Sequence, residues 1–195
     1  MKKILTLMLA TLAVFALRAN DADDVKATLN KINQLSCELK ISETLPYYAP
    51  EYTGISARGK KVTYADAERI AKNIDVLFGE TSSITAIYKA FAEIQGKTLG
   101  ENELAQIRQL EGDENATQVI RNQMRAAKTM LQAKLREQAA SLKILDVKVS
   151  GDKATAICQE RESDTGKMTE RTCKLIKANG KWRIVSDQSK YVETK

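Results

Sequence analysis

Residues 142–188 read LKILDVKVSGDKATAICQERESDTGKMTERTCKLIKANGKWRIVSDQ, and this stretch decides the fold of the chain. Four runs of β-branched or alternating apolar residues are separated by three dipeptides: Gly151-Asp152, Thr165-Gly166 and Asn179-Gly180. Glycine beside aspartate, threonine or asparagine is typical of tight hairpin turns. The pattern predicts four consecutive antiparallel strands, a meander.

The outer two hairpins have registers that follow from two-residue loops. The predicted pairs are Val149 with Ala154, Val147 with Ala156, Leu145 with Cys158, Lys177 with Trp182, and Leu175 with Ile184. The middle hairpin has two solutions: closure around Thr165-Gly166 places Cys158 opposite Cys173, whereas a bulged three-residue loop slips the pairing by one. Only the first solution keeps the apolar residues of all four strands on one face, so we predict it.

The two faces of this sheet differ in composition. Small Ala154 and Ala156 hollow the apolar face, so a cavity is expected there. The opposite face mixes Ile157, Ile176 and Val185 with threonine, lysine and arginine, and this mixture predicts the interface of a two-fold homodimer. Cys158 and Cys173 are interpreted either as a cross-strand disulfide or as two small core thiols, and both interpretations stay open.

The amino terminus predicts a secretory signal peptide over residues 1–19. Lys2-Lys3 precede an apolar run from Ile4 to Leu17 that is too short to span a membrane, and small residues follow. Its removal deletes three basic residues and no acidic one, which halves the formal net charge of +6. We expect a protein exported to a bacterial periplasm or secreted, without a membrane span after cleavage, and the weak positive charge argues against a nucleic-acid partner.

The remaining residues, 20–195, predict a single α+β domain. A helix over 24–41 leads to a corner rich in tyrosine and proline, a short hairpin turns near Arg58-Gly59, and a mostly helical region covers about 64–143. The segments ETLPYYAPEYTG, GDKATA and KANGKWRIV resemble the nuclear transport factor 2-like superfamily, which includes polyketide-cyclase-like and ketosteroid-isomerase-like proteins. The resemblance implies cone-shaped helices packed on a curved antiparallel sheet, with the region 64–143 longer than the usual plan.

In this superfamily the space between sheet and helices holds a small apolar ligand or an active site. The resemblance therefore points to pocket residues on the apolar face and at the tyrosine corner: Tyr47, Tyr48, Tyr52, Ala154, Ala156, Leu175, Trp182 and Ile184. Packing of the corner is the alternative explanation for the tyrosines. On the long helix near the end of the helical region, a sector of basic residues is interpreted as a solvated flank or as a site for an anionic partner. Its members are Arg121, Arg125, Lys128, Arg136 and Lys143.

The chain contains no histidine, and this excludes several kinds of active site. Serine or cysteine nucleophiles paired with histidine, and histidine-bound metals, all need an imidazole. We predict no metal, no cofactor and no catalytic residue. The expected function is an exported, non-enzymatic domain that binds a small apolar ligand or a protein partner. The alternatives are a histidine-free enzyme of the cyclase or isomerase type, and a structural or assembly protein that uses the outer sheet face.

Overall fold

The computed structural model describes residues 21–193, and in that range it contains six helices and one mixed sheet of six strands. The predicted signal peptide lies outside the described residues. Within 21–193 no helix combines the length and the apolar character needed to cross a membrane.

The helices fall into an amino-terminal pair and a group of four. Helix α1 covers residues 21–37, and a 3-10 segment follows at Ser42–Tyr47. The group of four comprises α2 (Tyr64–Phe78), α3 (Ile84–Ile94), α4 (Glu101–Gly112) and α5 (Glu114–Ser141). Side chains of Thr63, Ser83 and Asp113 accept hydrogen bonds from the first turns of α2, α3 and α5, and these caps explain where the three helices begin.

The strands are β1 (Tyr48–Ile55), β2 (Lys61–Thr63), β3 (Lys143–Ser150), β4 (Lys153–Arg161), β5 (Met168–Ala178) and β6 (Lys181–Val192). Their order in the sheet is β2-β1-β6-β5-β4-β3. Neighbours pair antiparallel except β1 and β6, which run parallel. The amino-terminal hairpin thus extends the carboxy-terminal strands into one mixed sheet.

The outer hairpin registers match the turn analysis except at one end. Val147 faces Ala156 and Trp182 faces Lys177, as the two-residue loops predict. The predicted pairing of Leu145 with Cys158 is wrong because a bulge at Leu145 places Ile144 there instead. The bulge turns Leu145 outward, and 52% of its surface is exposed.

The middle hairpin register is wrong by two residues. Arg161 pairs with Met168, so that Cys158 lies opposite Arg171 and Cys173 lies opposite Ala156. The connection is a six-residue loop rather than a turn centred on Thr165-Gly166, and backbone bonds join its ends. All three cysteines of the chain are free thiols in the structure.

Two apolar clusters form the interior. The first lies on the inner face of the sheet, where Val25, Leu29 and Ile32 of α1 pack over the central strands. The second lies within the group of four helices, around Leu77 and Ile87. We use the term inner face for the side of the sheet covered by α1.

Candidate functional site

Polar side chains gather on the inner face at one end of the apolar cluster, of which Tyr52 is a member. Cys173 of β5 lies between Ala156 of β4 and Asp187 of β6. Two residues earlier on β5, Arg171 lies between Cys158 and Ser189. Because side chains alternate along a strand, Arg171 shares the inner face with the buried Cys173. We call Arg171, Asp187, Tyr48, Tyr52 and Glu160 the polar cluster.

Tyr52 connects β1 to β6 within this cluster. Its hydroxyl donates a hydrogen bond of 3.1 Å to Oδ2 of Asp187, and only 8% of Tyr52 is exposed. The ring of Tyr48 meets the ring of Tyr52 edge to face, with centroids 4.7 Å apart. Burial raises the pKa of Tyr48 to about 12, and burial together with Asp187 raises the pKa of Tyr52 further. Both phenols therefore keep their protons near neutral pH, and the Tyr52 phenol is the donor to Asp187.

The close approach of Tyr52 and Asp187 depends on Gly54. A Cβ atom at this position would overlap the Tyr52 hydroxyl and lie 2.9 Å from Oδ1 of Asp187. Gly54 is itself buried, opposite Asp187 in the parallel pair of β1 and β6. Here glycine is needed because no side chain fits.

Arg171 is the unusual member of the polar cluster. Its Nε atom is buried and has no hydrogen-bond partner. None of the ion pairs in the described part of the chain includes Arg171. Burial opposes the charge, but the acidic groups of Cys173, Glu160 and Asp187 outweigh it and hold the pKa of the guanidinium above its ordinary value. The cluster thus contains a fixed positive charge with an unused donor.

The surroundings of Asp187, unlike those of Arg171, shift its pKa in the direction that disfavours the charged form. Burial raises the pKa of its carboxyl above the ordinary value, although Arg171 and the Tyr52 hydrogen bond both favour the charged form. A buried carboxyl with a raised pKa, held by one donor, has the properties of a group that exchanges protons.

The two inner-face cysteines, Cys158 and Cys173, are completely buried beside Arg171. The neighbouring Cys158 thiol and burial raise the pKa of Cys173. A buried thiol with a raised pKa is a poor nucleophile, whereas the hydrogen bond with Cys173 and the neighbouring Arg171 lower the pKa of Cys158, so Cys158 is the more acidic thiol of the pair.

Known proteins share the architecture of this chain but little of its sequence. No protein-family model matches the chain, and no curated protein matches it. Among solved structures, a nuclear transport factor 2-like protein with a cystatin-like fold from Novosphingobium aromaticivorans superposes with a TM-score of 0.54 at 12% identity, over 96% of this chain and 92% of that one. This chain has a nuclear transport factor 2-like fold. The resemblance predicted from the sequence is confirmed at the level of fold.

Two further structures with this fold are more distant. A nuclear transport factor 2-like protein from Shewanella baltica has a TM-score of 0.43 at 14% identity, over 90% of this chain and 97% of that one. A proposed dehydratase of the same family from Streptomyces avermitilis has a TM-score of 0.44 at 9% identity, over 90% and 99%.

The predicted pocket residues occupy the sheet and its edge within this nuclear transport factor 2-like fold. Six of them belong to the buried apolar cluster: Tyr52, Ala154, Ala156, Leu175, Trp182 and Ile184. Tyr47 and Tyr48 pack against its margin. On the opposite face, Ile157, Ile176 and Val185 are half-buried.

Sequence reasoning missed Arg171 and Asp187. The signal for Arg171 is its position: it follows the same alternation as Cys173 and Leu175, so a charged residue takes an inward place on an apolar strand. The sequence gives no comparable signal for Asp187, because its inward position depends on a β-bulge. Val185 is an extra residue of β6 that has no partner on β5, where Lys174 and Leu175 are consecutive. That bulge turns Asp187, rather than Ser186, to the inner face.

Part of the predicted basic sector has an internal role. Arg121 of α5 donates hydrogen bonds of 2.7 Å to the Glu80 carbonyl and 3.2 Å to the Ser82 carbonyl. Lys128 donates one of 3.4 Å to the Phe78 carbonyl at the end of α2. Cations suit the carboxyl end of a helix, where carbonyl groups lack partners. These two residues therefore join α5 to α2.

Proposed function

We propose that the inner face of the sheet binds a small, largely apolar ligand whose anionic group contacts Arg171. The observation that carries this proposal is the buried, unpartnered Nε of Arg171. A buried guanidinium nitrogen without a hydrogen-bond partner is costly, and the planar set of donors on arginine fits a carboxylate with two parallel hydrogen bonds. An anionic ligand would satisfy both requirements.

The surroundings suit the rest of such a ligand. The apolar cluster adjoins Arg171 through Cys173 and Leu175, and the protonated Tyr48 and Tyr52 offer aromatic edges. The predicted signal peptide makes export part of the proposal. Binding rather than catalysis is the leading function, since the chain lacks histidine.

A matched pair of arginine variants tests the proposal. Arg183 lies on the outer face of β6 and also has a buried, unpartnered Nε, so it serves as the control for Arg171. We expect octanoate to bind more tightly than octanol in calorimetric titrations. Arg171→Met should weaken octanoate binding by about tenfold or more, since hydrogen bonds to charged groups contribute about 1.5–3 kcal/mol. Arg183→Met should leave it unchanged.

Equal affinity for octanoate and octanol, or equal effects of the two arginine variants, would refute the assignment. Native mass spectrometry of the protein purified from its own host adds a search for a retained ligand. A retained neutral ligand that survives Arg171→Met would also count against the role of the guanidinium.

A second candidate function is favoured by Asp187. A carboxyl with a raised pKa, bonded to Tyr52 and adjacent to Arg171, suits proton transfer to or from a bound anion, as a histidine-free isomerase or cyclase requires. Asp187→Asn should then abolish turnover of a substrate bound at the polar cluster while Arg171-dependent binding remains. Turnover retained in Asp187→Asn would eliminate this function.

We also propose a homodimer through the outer face. Ile157, Ile176 and Val185 support it because they share that face and stay partly exposed in a single chain. Ile176→Lys should shift a dimer to a monomer in sedimentation experiments. A wild-type monomer at working concentration argues against the interface.

A further inference from the structure

A groove separate from the polar cluster lies between α1, the 3-10 segment and the turn that joins β5 to β6. Its volume is about 540 Å³, within the range of small-molecule sites. The charged and aromatic residues that line it are Asp24, Lys31, Glu43, Tyr47, Lys181 and Trp182. The three chain segments that form the groove meet nowhere near Arg171, which lies toward the opposite end of β5.

Trp182 lines this groove and carries an unused donor. Only 3% of the residue is exposed, and its Nε1 atom is buried without a hydrogen-bond partner. Buried tryptophan normally places its N–H group on an acceptor. The one described cation above the ring, Nζ of Lys177, lies 5.7 Å from the centroid and cannot accept a hydrogen bond. An acceptor on a bound molecule would complete the site.

The rim of the groove carries both signs of charge. Asp24 and Glu43 are acidic, Lys31 and Lys181 are basic, and all four are exposed. None of these four takes part in an ion pair within residues 21–193. The opposite charges therefore do not neutralise each other directly, and the space between them suits a ligand that carries both signs.

We infer that this groove binds a zwitterionic α-amino acid with an apolar side chain. The carboxylate of the ligand accepts hydrogen bonds from the lysines and from the Trp182 indole, and its ammonium group faces the acidic side chains. Pro46 and Tyr47 provide the apolar wall for the side chain. The site and the ligand both differ from those of the proposed function, so neither inference depends on the other.

The test uses the fact that Trp182 is the only tryptophan of the chain. A ¹⁵N-labelled protein gives one indole N–H signal, and a new hydrogen bond moves the indole proton downfield. L-phenylalanine should produce this shift in a titration up to about 10 mM, which detects a Kd of about 1 mM. Phenylethylamine and 3-phenylpropionate each keep one charge, and both should bind at least about tenfold more weakly.

Variants at the rim supply the second measurement. Lys31→Met and Glu43→Gln should each weaken L-phenylalanine binding by about fivefold or more, whereas Lys72→Met, an exposed lysine on α2, should have no effect. No indole shift at the highest concentration overturns the inference. Binding of phenylpropionate as tight as that of phenylalanine, or equal effects of the three variants, also overturns it.

Discussion

Gly54→Ala tests whether the contact between Tyr52 and Asp187 organises the polar cluster. The backbone of Gly54 does not adopt a positive φ, so alanine can take the same backbone conformation without strain. The only obstacle is space: the new methyl group would overlap the Tyr52 hydroxyl and crowd Asp187. The substitution thus displaces one hydrogen bond and leaves the strand otherwise intact.

The expected loss follows from two costs and one partial offset. Displacement of a hydrogen bond to a carboxylate costs about 1.5–3 kcal/mol, and crowding in a packed interior adds a cost of similar size when the neighbours cannot move apart. Alanine restricts the unfolded chain relative to glycine, which offsets about 0.4–1 kcal/mol. We expect the free energy of unfolding to fall by about 2–5 kcal/mol, and Tm to fall by about 4–20 °C for a chain of this length.

Urea denaturation at neutral pH measures this loss against a matched control. Gly112→Ala also adds a methyl group at a glycine without positive φ, but nothing lies within 4 Å of the new atom. It should be neutral or slightly stabilising. In a Tyr52→Phe background both the overlapping oxygen and its hydrogen bond are absent, so Gly54→Ala should cost about 1.5–3 kcal/mol less than in the wild type. Equal effects of the two glycine variants, or additive effects with Tyr52→Phe, would refute the reasoning.

Three other outcomes follow from the described contacts. Because burial raises the folded-state pKa of Asp187, the stability of the folded state should fall as pH rises from about 3.9 through that raised value, and Asp187→Asn should remove this fall in pH-dependent urea midpoints. Arg121→Met should lower the free energy of unfolding by about 1 kcal/mol, because it removes two hydrogen bonds to carbonyl groups in the loop after α2. Arg108→Met, at an exposed arginine, should leave the free energy of unfolding unchanged. In native protein, a thiol reagent should modify the half-buried Cys37 well before the inner-face cysteines, and denatured, unreduced protein should show three free thiols; a count of one would demonstrate a disulfide.

The sheet faces were predictable from the sequence, but the middle register was not. Side chains alternate with a period of two, so a slip of one residue moves a strand's apolar set to the wrong face and is excluded. A slip of two keeps every side chain on its face. The six-residue loop after Arg161 causes such a slip, and for this reason Cys158 and Cys173 are both inward and buried, yet are not opposite each other.

Bulges limited the prediction of the site for a related reason. The extra residue at Leu145 exposes an apolar side chain, and the extra residue at Val185 brings Asp187 inward. A bulge changes the face of every residue beyond it, and no turn dipeptide or composition shift marks either one in the sequence. The parallel pairing of β1 with β6 is equally hidden, because it joins segments about 130 residues apart without a connecting turn.

The polar cluster arises from these unpredictable features acting together. The parallel pairing of β1 with β6 places Gly54 opposite Asp187, and the bulge at Val185 points the Asp187 side chain at Tyr52. The two-residue slip then places Arg171 beside Cys158. Without the bulge, Ser186 would take the inward place, and Tyr52 would face a hydroxyl instead of a carboxyl whose pKa is raised by burial. Deletion of Val185 should therefore remove the pH dependence assigned to Asp187 and reduce the coupling between Gly54→Ala and Tyr52→Phe. Arg171 should stay on the inner face, because the deletion leaves the alternation of side chains along β5 unchanged.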